Sequence, residues 1–247
     1  MNILRSKKRN IALLLIVMVV ASYSLVVAPI WRGISNRSAT AQKLLNIQIA
    51  LTLYYQENHC YPPQYLTDRQ GRPAHSWRVL LLPFLHHKDL FRRYSFDEPW
   101  NGPHNRLLTT EMPEEFRSPF LDSKSTITQY LGIAGTETSW RGAIPLREED
   151  LRPRDTTNSL IWVVEARNSD INWMEPRDMP FDQALAGINV AEGGGIQSNY
   201  PDALPAQTKP FGCEWIPINI SPEKLRLMLT VAEQGKKGVG PATPDNR

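Results

Sequence analysis

Acidic residues are missing from the start of this chain: none precedes Glu57. Cysteine is nearly absent, with only Cys60 and Cys213. That excludes a disulfide-dense scaffold, and no second Cys or His pair accompanies either one to suggest zinc. Two readings stay open for them: one disulfide closing a long loop, or two unpaired buried thiols. The five histidines, His59, His75, His86, His87 and His104, form no ligand-spaced pair. His86 and His87 are adjacent, and neighbours on a helix face different ways, so they read as solvated side chains rather than metal ligands. The glycine run at 193–195 lacks the strand and lysine context of a phosphate cradle. Gly-x-Ser-x-Gly, His-Glu-x-x-His and EF-hand patterns are all missing. No metal and no cofactor is expected. A net charge of only +3 gives no reason to expect nucleic acid as a partner.

What is present begins at the N-terminus. Arg5, Lys7, Lys8 and Arg9 precede a run from Ile11 to Trp31 that carries no charge. A helix needs about 20 apolar residues to cross a bilayer, so this run predicts a membrane span. The basic flank predicts the N-terminus inside the cytoplasm and the body outside, although Arg32, Arg37 and Lys43 weaken the asymmetry. A cleaved signal peptide competes, because Val19-Val20-Ala21 has acceptable small-residue spacing for a mature start at Ser22. Apolar sequence continues past that point to Ile30, which favours an uncleaved anchor. Beyond the span, Leu44, Ile47, Leu51 and Tyr54 recur at helical spacing, with Leu45, Ala50 and Leu53 nearby. Pro29 should disturb the helix between span and stripe without ending it.

The body starts where Pro62 and Pro63 stop that helix. Twenty prolines imply short elements and many loops. DRQGRP (68–73) reads as a turn. HSWRVLLLPFLHHKDLFRRY (75–94) reads as a short buried helix broken near Pro83, then a second turn of helix from Asp89 to Tyr94. TITQYLGIAG (126–135), SLIWVVEA (159–166) and INWMEPRDM (171–179) read as strands, the last short and leading into a proline turn. RDTTN (154–158) is a loop, and 192–212 is loop-rich. A helix at 220–234 has Ser221 as N-cap, Pro222 at its first position, and Leu225, Met228 and Leu229 on its buried side.

The stretch SFDEPWNGPHN (95–105) gathers acids, amides and an aromatic. Its prolines, Gly102 and Asn101 favour a structural turn, with Trp100 buried and Asp97 accepting backbone N–H groups. The functional alternative is a calcium or glycan contact made by Asp97, Glu98, Trp100 and Asn101. Calcium needs six to eight oxygens, more than this loop supplies. A glycan pocket would show as aromatic walls near Trp77, Trp100, Trp140, Trp162 or Trp173. A paired-carboxylate hydrolase would need two acids about 5–10 Å apart across a cleft.

Several segments together resemble a known family. LLNIQIALTLYYQENHCYPP, HSWRVLLLPFL, DEPWNGPHNRLL, MPEEFRSP, RDTTNSLIWVVEA, INWMEPRDM and SPEKLRLMLT follow in order. They resemble the DUF1559 family, large paralogous sets of pilin-like proteins in planctomycete bacteria, over about residues 41–232. The resemblance implies a pseudopilin-like fold and no known activity, so no catalytic residue carries over. Members typically have a glycine before a processing point and a glutamate early in the mature helix. Here the first glycine is Gly33, and the span holds no acid. That puts processing and polymerisation in doubt. Ser118 stands where the family usually has a cysteine, and a second family cysteine is also missing, which makes Cys60 and Cys213 candidates for a replacement pair.

The expected architecture is therefore α+β, with a long N-terminal membrane-spanning helix packed on an antiparallel β-sheet. Its parts are a cytoplasmic basic segment (1–10), a transmembrane helix (11–31), an amphipathic continuation (32–58), an extracytoplasmic body (59–235) and a disordered tail (236–247). The expected role is structural or in protein interaction at the cell envelope, without enzymatic activity. The bilayer is one partner, and envelope or secretion-system proteins are others. The alternative is an envelope-bound glycan- or solute-binding module.

Overall fold

The computed structural model describes residues 2–151, 159–191, 194–209 and 212–231, with side chains at residue 11 and from 13 onward. The expected tail (236–247) and the RDTTN loop lie outside the described residues. The chain divides into two compact units, Met1–Gln42 and Lys43–Arg247.

The first unit is helical. Helix α1 (Asn2–Ser22) passes through one π turn, Tyr23–Val27, into α2 (Ala28–Asn58). Proline explains the wide turn. Pro29 has no N–H, and its ring crowds the carbonyl of Leu25 four residues back. A π turn absorbs that conflict, and the Ala28 N–H donates to Tyr23 O, five residues back. One helix here is long and apolar enough to cross a membrane. Leu13, Leu15, Val17, Val19 and Leu25 are each more than half exposed.

The second unit takes the end of α2 into its core. Leu44, Ile47, Ala50 and Leu51 are buried, as the i, i+3, i+4, i+7 spacing predicts. Each large apolar side chain so buried contributes about 1.5–3 kcal/mol. The helix ends at Asn58, with His59 left-handed at φ 56° ahead of the two prolines. A small hairpin, β1 (Tyr65–Thr67) and β2 (Pro73–Ser76), follows. Then come α3 (Trp77–Leu80), a 3₁₀ turn at Leu82–Leu85 and α4 (Lys88–Arg93), so the helix breaks near Pro83 as expected.

The main sheet comprises β3 (Tyr130–Ala134), β4 (Leu160–Glu165), β5 (Met179–Pro180), β6 (Ala203–Lys209) and β7 (Gly212–Pro217), in the order β5-β3-β4-β6-β7. It is antiparallel except for the parallel pairing of β5 with β3, so the expected antiparallel sheet has one parallel edge. Short helices α5 (Phe181–Leu185) and α6 (Pro222–Leu229) complete the fold. Ser221 caps α6 by accepting from the Lys224 N–H, and Leu225, Met228 and Leu229 are buried. Thr230 ends α6 in extended backbone, earlier than the sequence suggests.

Because successive strand residues point to opposite faces, the sheet builds two cores. One joins α2 to Trp77, Phe116, Tyr130, Trp140, Trp162 and Trp173. The other joins Leu131, Ile133, Ile161, Val164 and Leu204 to Ala184, Leu225 and Leu229. A bulge between Ile161 and Val163 lets Trp162 and Val163 serve the same core.

Two sequence expectations need correction. Residues 171–178 form turns with a single bridge, Ile127 to Asn172, and only Met179 at the end enters a strand, β5. The second miss is β6, which lies in the supposedly loop-rich 192–212 segment. Pro205 reads as a strand breaker, but the β4 ladder ends at Ala206, so at Pro205 only β7 pairs. Strand β7 follows in a stretch without clear alternation, for which the sequence offered no reading. Cys60 and Cys213 are both free and half-buried. A Cβ on Gly212, next to Cys213, would meet Gln48 and Leu45, and the helix from Gln48 to its end at Asn58 is about 15 Å long. Burial, with Glu214 and Glu165 nearby, pushes the Cys213 thiol up to about 11.

Candidate functional site

The loop at 95–105 is held from within. The Glu98 carboxylate accepts the backbone N–H groups of His104 (2.9 Å) and Asn105. The buried Asn105 amide donates to the carbonyls of Ser95 (2.7 Å), Glu98 and Pro99 (both 3.2 Å), and its oxygen accepts the Ser95 N–H. A Cβ on Gly102 would come within 2.6 Å of the Glu98 carboxyl carbon and displace the carboxylate from the His104 and Asn105 amides. The backbone-accepting acid is therefore Glu98, not Asp97 as the sequence suggested. The structure spreads the four nominated residues apart in role. Glu98 is consumed by the turn, Trp100 packs half-buried against the aromatic core, and Asn101 is exposed. Asp97 borders a hollow.

That hollow is an open groove of about 810 Å³ between the end of α4, the start of the loop and the 3₁₀ turn at Asn105–Leu108. Phe96 is 40% exposed on its wall and Leu107 68% exposed on its rim. Phe96 sits edge-on to His75, Phe91 and Tyr94 at 5.0, 5.6 and 5.1 Å, which fixes its orientation. Arg93 forms a two-pronged pair with Glu111 and holds that carboxyl below its usual range. His104 Nε2 lies 2.6 Å from the Arg93 carbonyl. A carbonyl only accepts, so Nε2 carries a proton and donates to it. Sequence reading missed Phe96 and His104, because nothing local marks which members of a turn face outward.

The tryptophans do not form a pocket. Trp77, Trp140, Trp162 and Trp173 are at most 1% exposed. Three of them spend their indole N–H inside the protein. Trp140 donates to Trp162 O (2.6 Å), Trp173 to Thr109 O (2.8 Å), and Trp77 to both Asp178 oxygens (3.1 and 3.3 Å). Asp178 also pairs with the fully buried Arg78 and accepts the Gly132 N–H at 2.9 Å. Arg78 in turn donates to Tyr130 O (3.2 and 3.0 Å) and Ser76 Oγ (3.0 Å). Burial pushes the Asp178 carboxyl up and the Arg78 guanidinium down, and each opposes the shift of the other. Gly132 has no room for a side chain, since a Cβ would stand 2.6 Å from the Trp140 ring. This knot ties the HSWR segment to the PRD segment, and its donors leave the carboxylate nothing to give to chemistry. Nearby, the buried Ser118 donates to Glu165.

His86 is exposed and His87 lies 3.1 Å from Glu115, so the adjacent pair divides its roles. Among the described residues there is no group of three His, Cys, Asp or Glu able to hold a metal.

Comparison with curated proteins finds no match, and comparison with solved structures finds none. A family model for proteins of unknown function, DUF1559, matches residues 37–170, a little over half of the chain. The match takes in the packed part of α2, the Trp77–Arg78 segment, the 95–105 loop, β3 and β4. This chain belongs to the DUF1559 family.

Proposed function

We propose that this protein is a single-pass membrane protein whose body stands outside the cytoplasm. There it serves a structural or protein-interaction role at the cell envelope, as a pilin-like subunit that is neither processed nor polymerised. The observation that carries the reading is the charge-free helix whose apolar side chains are exposed along the Ile11–Trp31 run. So long an apolar surface requires a lipid or protein cover. The basic residues before it supply the orientation. The span has no carboxylate to pair with a neighbour's terminal amine, which separates this chain from filament-forming pilins.

A non-enzymatic role is supported by how the acids are used. Asp178 is sealed in the interior, Glu98 holds backbone amides, and Glu111 is locked to Arg93. The test is intact mass of the protein from native membranes, combined with protease treatment of sealed spheroplasts. An uncut chain whose body is digested from outside fits the proposal. A soluble chain starting at Ser22 removes the anchor, and a body protected until lysis reverses the orientation.

A further inference from the structure

We infer that the groove beside Phe96 is a binding site for a neutral saccharide. Its volume, about 810 Å³, lies within the range of small-molecule sites. Charge decides the class of ligand. Arg92, Arg93, Asp97 and Glu111 all line it, so the formal charges cancel. An anion meets two carboxylates and a cation meets two guanidiniums, so neither is favoured.

Hydrogen-bonding capacity remains on both sides. The Asp97 carboxylate has no ion pair among the described residues, and His104 Nδ1 has no hydrogen bond among them. Arg92 uses one nitrogen on Asp89, and Arg93 uses its two terminal nitrogens on Glu111. Both guanidiniums retain N–H groups to donate. Between these polar groups stand the Phe96 ring and the Leu107 side chain, both exposed. A pyranose presents that combination in return, with a C–H face for an aromatic ring and hydroxyls that donate and accept. The fixed orientation of Phe96 and the lock on Arg93 lower the ordering cost of binding.

The inference rests on the body meeting envelope material, but its test does not depend on the anchor, so the two readings can fail separately. The full chain is solubilised in a detergent without a sugar headgroup. It is titrated with cellotriose, maltotriose and diacetylchitobiose, followed by saturation-transfer NMR and calorimetry. At least one is expected to bind with a Kd of about 1 mM or tighter. Phe96→Ala should weaken binding roughly tenfold. Asp97→Asn and Leu107→Ser alter exposed side chains, leave the fold intact, and should each weaken binding severalfold. The inference is overturned if none of the three binds at about 10 mM. It is equally overturned if binding is indifferent to Asp97→Asn and Leu107→Ser, or if galacturonate or glucosamine oligomers bind tighter than every neutral sugar.

Discussion

The two faces of the main sheet build their cores by different means. The face toward α2 is aromatic and threaded with polar bonds: Trp77, Trp140 and Trp173 each aim an indole N–H at a named acceptor. The opposite face, under α5 and α6, is aliphatic and is filled by Leu, Ile, Val and Met. An aliphatic core asks only for volume and shape. An aromatic core with buried N–H groups asks also for direction, because a donor left unmatched costs its desolvation. The face that receives α2 is thus the one whose geometry is specified most tightly.

The hardest blow to that contrast is Asp178→Ala. It strands Arg78, Trp77 and the Gly132 amide at once, and should lower unfolding free energy by about 3–5 kcal/mol in a urea titration. A loss under about 1 kcal/mol would place the knot among ordinary surface effects. Next is Trp140→Phe, which keeps a ring but orphans the Trp162 carbonyl. Its expected cost is about 1–3 kcal/mol, with a matching fall in the urea midpoint. On the aliphatic face, Leu204→Met keeps volume and should cost less than about 1.5 kcal/mol. If Leu204→Met proves the costlier of the two, the two faces do not differ as described.

The smallest effect is electrostatic. Hydrogen bonding to Arg93 holds Glu111 low. At Glu115, burial pushes the carboxyl up, but His87, the residue's own amide and Lys43 together bring it below the usual range. Both folded pKa values lie under the unfolded ones, so this stabilisation is present above about pH 4.5 and is lost as pH falls through the folded values. Urea midpoints measured from pH 6 down to pH 3 should decline, and Glu111→Gln with Glu115→Gln should flatten that decline. Both groups lie near the surface, so the change is a fraction of the preceding ones.

The sequence showed much of this fold where one element carries its own signal. The stripe on α2, the break near Pro83, the β3 and β4 runs, and the Ser221-Pro222 start of α6 are all local patterns. Strand β6 escaped because Pro205 breaks the local pattern while tertiary pairing tolerates it. The loop at 95–105 was legible as a turn, but the division of labour between Asp97 and Glu98 was not. That depends on where the His104 and Asn105 amides point once the chain has folded back. The Arg78–Asp178 knot was invisible for the same reason: each half looks like a packing motif until the other arrives.

That separation sets a clock on biosynthesis. Arg78 and Asp178 are 100 residues apart in the chain. A ribosome adding about 5–20 residues per second makes the arginine about 5–20 s before its carboxylate. Through that interval Trp77, made one residue before the arginine, has no finished knot to close over it. For those seconds the Trp77 indole N–H and the Arg78 guanidinium lack the carboxylate that accepts from them in the folded body.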